Sequence, residues 1–142
     1  DERFRLALNV STRDPELAAR EIERLGAHPK VVEVMIASAA TAPLGQRIFH
    51  PLYAAAEKLG LPVAMHPGQE GTGVATVPSA VGYPSRYLEW HTGLSATFQG
   101  HLLSLVCEGV FQKLRAQEAP DLIDTGHSQR IHVRHREDLP PC

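Results

Sequence analysis

His66 closes the run PVAMH and is followed by Pro67-Gly68 and then by Gly71 and Gly73. An imidazole at the carboxyl end of an apolar strand stands where parallel α/β folds bind their ligands. Because imidazole titrates near neutrality, His66 suits metal ligation or general-base work. The competing reading is a structural histidine whose ring nitrogens bond backbone carbonyls. The other histidines carry less. His28 falls in a helix-to-strand loop and reads as solvated, and His50, before Pro51, reads as local structure at a helix start. His91 follows Glu89-Trp90, which fits a packed indole–imidazole pair or a substrate contact. His101 shares a polar stripe with Glu108 and is expected to make a buried hydrogen bond to a neighbouring element. His132 and His135 are three apart, but with no helix and no third ligand they are a weak metal signal.

Several chemistries are excluded or disfavoured. Val74, not Lys, follows Gly73, so the glycine loop is no P-loop; the G-x-G-x-x-G spacing is also absent, leaving a nucleotide site as a minor rival. No G-x-S-x-G is present. Cys107 and Cys142 form neither a disulfide framework nor a CxxC pair, which suits a reduced, cytoplasmic setting. Cys107, beside Val106 and near Val110, reads as a small core residue. Fourteen basic against 16 acidic residues give a net charge of −2, the wrong balance for a non-specific nucleic-acid binder. No apolar run approaches the roughly 20 residues of a membrane span, and DERFR at the start is not a signal peptide.

The elements that must position His66 follow from two alternating periods. Residues 5–10 (RLALNV) suit a strand. Asp14-Pro15 opens a helix, with Asp as N-cap and Pro in the first turn. Ala18, Ile22 and Leu25 share one face of it, and Gly26 stands where a left-handed C-cap would. VVEVMI (31–36) reads as a strand buried on both faces. A second helix over 51–59 shows Leu52, Ala55, Ala56 and Leu59 on one side. Gly60 stops it and Pro62 prevents restart. Residues 62–66 make the third strand. Strand, helix, strand, helix, strand with short connections is the pattern of a parallel sheet. Residues 67–87 form a long loop rich in Gly and Pro, the usual signature of a functional or mobile segment. A long helix is predicted over 94–114. It is apolar over most of its circumference, with Thr97, His101, Ser104, Glu108 and Gln112 as a narrow polar stripe, and is expected to pack on two sides.

The stretch PLYAAAEKLGLPVAMHPG (51–68) resembles the amidohydrolase-related family of metal-dependent enzymes, the group that includes aminocarboxymuconate-semialdehyde decarboxylase. YLEWHTGLSATFQGHLLSLVCEGVFQK (87–113) is similar to that family's next helical segment, so the likeness runs over about residues 4–113. It implies a (β/α)8 TIM barrel with a divalent metal, often zinc, at the carboxyl ends of the strands. It also implies ligands from a first-strand His-x-His, a middle-strand histidine and a last-strand aspartate. His66 matches the middle-strand ligand; the chain has no His-x-His and no counterpart of the aspartate.

The chain is therefore expected to be an α/β fragment of such a barrel over 1–114, with a divergent, irregular tail over 115–142. There LRAQEAPDLIDTGHSQ departs from the family pattern, as a truncated or frame-altered gene would. A complete barrel needs about 250 residues. Glu70, Arg86 and His91, on or beside the loop at the active face, are the expected substrate contacts. The implied reaction is hydrolysis or non-oxidative decarboxylation of a small carboxylated or acyl substrate, with this chain alone weak or inert. The alternative is a non-catalytic α/β module that associates with itself through exposed apolar edges.

Overall fold

Apolar residues spaced two apart in three short runs, separated by helical segments, give a three-stranded parallel sheet. The computed structural model describes residues 3–68, 79 and 81–113. The elements are β1 (Leu6–Asn9), α1 (Pro15–Leu25), β2 (Val31–Ala37), a 3-10 turn at Arg47–Phe49, α2 (His50–Lys58), β3 (Val63–His66), α3 (Tyr87–Cys107) and α4 (Val110–Lys113). The sheet order is β1-β2-β3, and both pairings are parallel. None of the described helices is long and apolar enough to cross a membrane.

The register sorts side chains to two faces. Leu8 pairs with Val34, Val34 with Val63 and Ile36 with Met65, and α1 and α2 pack side by side over this face. Val10, Ile22, Val34, Ile36, Leu44, Phe49, Leu52 and Met65 are buried in the resulting core. The opposite face carries Ala7, Asn9, Glu33, Met35, Ala37, Ala64 and His66. Glu33, Met35 and Ala37 there are only half-buried, and Val32 is exposed at the start of β2. The expectation of a strand buried on both faces is thus corrected. Among the described residues helices cover one face only, so burial over residues 33–37 alternates with the side-chain period of two.

Helix boundaries follow their caps. The Asp14 carboxylate accepts from the Leu17 amide at 2.9 Å, with Pro15 behind it. Gly26 does not take the left-handed conformation: its φ is −64°. It is glycine for space, because a Cβ there would meet Leu59 Cδ1 at 2.6 Å and the Ile22 carbonyl at 2.7 Å. Gly60 supplies the left-handed residue instead, at φ 65°. Around it Gly60 N–H donates to Glu57 O at 2.9 Å and Leu61 N–H to Ala56 O at 3.0 Å, the paired bonds of a Schellman stop.

The last long helix differs most from expectation. It begins at Tyr87, because the Glu89 carboxylate accepts from the Ser85 and Arg86 amides, each at 2.9 Å. It breaks after Cys107, where Gly109 turns at φ 68° before α4. Leu94, His101 and Leu105 are its buried residues, while Leu103 is 64 % and Val106 50 % exposed. Two-sided packing is therefore not seen among the described residues: His101 and Ser104 of the polar stripe lie against the body together with Leu94, Phe98 and Leu105, while Glu108 and Gln112 are exposed. Cys107 is exposed, a second correction with the same cause.

That cause is the loop after β2. His101 Nε2 donates to Ser38 O at 2.7 Å and its Nδ1 accepts from the Leu44 amide at 3.2 Å. The Ser104 hydroxyl accepts from the Gly45 amide at 3.1 Å. From α2, Tyr53 donates to Leu44 O at 2.8 Å and His50 to Gly45 O at 3.1 Å. All four backbone groups of Leu44 and Gly45 thus find side-chain partners, which a buried turn requires. An apolar helix face laid here would leave both amides unpaired.

Candidate active site

The three strands end together, and their ends are tied to one another. Val10 N–H donates to Met35 O at 3.0 Å and Ser38 N–H to His66 O at 2.9 Å. Above these ends lies a cleft of about 490 Å³, lined by Asn9, Val10, Ser11, Thr12, Arg13, Met35, Ile36, Ala37, Ala39, His66, Pro67 and Gly68. That volume is in the range of small-molecule sites.

His66 is exposed at the last position of β3. Its Nδ1 lies 2.7 Å from the carbonyl of Pro67. A carbonyl only accepts, so Nδ1 carries the hydrogen of this bond, and the neutral ring keeps its lone pair on Nε2. Ligating histidines are oriented in this way, with the second nitrogen donating to a carbonyl or carboxylate.

The other expected site residues fall elsewhere. Arg86 is the N-cap of α3, and its amide is bonded to Glu89 as described above. Hydrogen bonds from Arg86 and Ser85 hold the Glu89 carboxyl below its ordinary range. His91, in the first turns of α3, stacks obliquely on Tyr87, with ring centroids 5.5 Å apart, and meets Trp90 edge-on at 6.3 Å. Neither Arg86 nor His91 lines the cleft. Glu70, Gly71 and Gly73 lie outside the described residues, as do His127, His132, His135, Cys142 and the whole of 115–142.

Three residues that sequence reasoning passed over line the cleft instead: Asn9, Thr12 and Arg13. The signal was present, since they close and follow β1 just as His66 closes β3. Ser11 shapes their segment by accepting the Arg13 amide at 3.3 Å. No described Asp or Glu lines the cleft.

A family model described as amidohydrolase matches residues 1–116. No curated protein matches the chain. Members of that family are metal-dependent hydrolase-like enzymes on a TIM barrel, and they generally use divalent metals. The open parallel sheet agrees with part of such a barrel. Of the donors a metal would need, the cleft supplies the imidazole of His66. Among the described residues no group of three His, Cys, Asp or Glu converges on one point.

Proposed function

The chain belongs to the amidohydrolase family, and from that premise we propose that the cleft is the substrate face of a metal-dependent hydrolase or decarboxylase. Its substrate is a small carboxylated or acyl compound, and His66 serves as a ligand to a divalent metal, zinc first among the candidates. The observation that carries this reading is the orientation of His66 at the cleft, with Nδ1–H bonded to Pro67 and Nε2 left as the basic nitrogen. Such a metal, when bound, polarises a substrate oxygen or lowers the pKa of water to near neutrality. The chain's own contribution is to fix one ligand on a strand end at the cleft. Of the three expected substrate contacts, Glu70 is kept as a proposed one, while Arg86 and His91 do not line the cleft and would touch only a substrate that extends beyond it.

A catalytic zinc site uses three protein ligands and an open position. With one among the described residues, the chain is expected to hold zinc weakly and to turn over slowly. Zinc and manganese content of the purified chain and of His66→Ala, with turnover of aromatic carboxylates and simple esters, tests this. Weak metal binding that disappears in His66→Ala supports the ligand role, and metal content indifferent to that substitution overturns it. The second reading, a non-catalytic module that associates with itself, draws on the outward Leu103 and Val106. A chain that sediments as a monomer at high concentration removes it.

A further inference from the structure

Residues 9–13 give the cleft a character of their own. Arg13 is exposed and lines it, and this permanent cation makes no ion pair with the described residues. Thr12, next to it, is 6 % exposed, and its hydroxyl has no hydrogen-bond partner among the described residues. A buried hydroxyl left unpaired is disfavoured unless something arrives to pair it. Asn9 adds an exposed amide at the end of β1. The neighbouring carboxylate, Asp14, is turned to the Leu17 amide as the cap of α1. It is not among the lining residues, and no other described acid is either. The cleft therefore presents one fixed cation and neutral polar donors, with no described negative charge to repel an anion.

We propose that residues 9–13 form the anion-binding end of the cleft, holding the carboxylate of a small substrate between the Arg13 guanidinium and the Thr12 hydroxyl, with Asn9 as an additional donor. This rests on the reading of the cleft as a substrate site and narrows its substrate to a carboxylate. A guanidinium matches the two oxygens of a carboxylate in one plane, and Thr12 supplies a buried donor that water reaches poorly. His66, across the same cleft, then faces the rest of the molecule.

The test uses the full 142-residue chain, labelled with nitrogen-15 and titrated with benzoate and with benzamide, its neutral counterpart. Benzoate is expected to shift the amides of Ser11, Thr12 and Arg13 and to bind about 10- to 100-fold more tightly than benzamide, the range for a charge-assisted hydrogen bond. Arg13→Gln should abolish that preference, Arg13→Lys should keep part of it, and Thr12→Val should weaken benzoate severalfold. Added salt should weaken benzoate and leave benzamide unchanged. Equal binding of the two probes, no binding of either, or benzoate affinity unchanged in Arg13→Gln overturns the proposal. Metal content in His66→Ala is read separately. An Arg13-dependent benzoate site on a chain that takes up no metal keeps this inference and removes the metal reading. Metal bound through His66 without benzoate preference does the reverse.

Discussion

At the scale of single residues, His101 shows how a histidine can be structural without being inert. Its Nε2 faces a carbonyl and its Nδ1 an amide, so the two bonds to Ser38 and Leu44 need the neutral ring with hydrogen on Nε2. His101→Leu leaves the buried Leu44 amide without an acceptor and removes the donor to Ser38 O. It should cost about 2–4 kcal/mol in denaturant unfolding, the sum of two such losses. Tyr53→Phe removes only the donor to Leu44 O and should cost about 1–2 kcal/mol. Burial pushes the Tyr53 phenol upward, which favours the protonated donor that this bond needs. Glu89 acts in the opposite direction. Its carboxyl is held low, first by the Arg86 amide and then by Ser85. Its folded pKa lies below its unfolded one, so its contribution is full above the unfolded value and is lost as pH falls through the folded one. Helical content at the start of α3 should therefore drop in acid, and Glu89→Gln should remove that pH dependence in circular dichroism.

At the scale of elements, glycine decides how closely the helices approach. A Cβ on Gly45 would run into the backbone of Ser104 and the Leu105 amide, atoms of α3 that cannot swing aside. Gly45→Ala must push α3 off the loop and break the Ser104 and His101 bonds with it, so a loss of about 2–4 kcal/mol is expected. Gly60→Ala meets a different penalty, the left-handed backbone at φ 65°, and should cost about 1–2 kcal/mol. Thermal unfolding of the two variants side by side checks the ranking. Leu105, buried in the core that α3 shares with the sheet, gives a third measure: Leu105→Ala should cost about 2–5 kcal/mol.

At the scale of the whole molecule, stability is expected to be uneven. β2 is paired on both sides and carries the fully buried Val34 and Ile36. α3 touches the body through its C-terminal half, and Leu94 is the one buried residue in its first 14 positions. Native-state hydrogen exchange should therefore find the slowest amides in β2, with residues 87–97 exchanging orders of magnitude faster. Equal protection across both would mean that the start of α3 is held by contacts beyond those described.

The cues that act within a few residues were open to reading from the sequence. Asp14-Pro15 opened α1, Gly60 stopped α2, and the apolar run ending at His66 became β3 at the cleft. Each depends on local backbone chemistry, which a short stretch carries whole. Three things needed the tertiary structure. The inward face of α3 carries His101 and Ser104 beside its apolar residues, because Leu44 and Gly45, more than 50 residues away in sequence, bring amides that need acceptors. Gly26 is glycine because Leu59 and Leu61 of a later segment lie against it. Asn9, Thr12 and Arg13 share a cleft with His66 because parallel pairing sets the ends of β1, β2 and β3 side by side. Residue type and spacing determine which groups a chain offers. Which of them face one another depends on strand register and on the pairing of every buried backbone group, and both are settled only when distant segments meet.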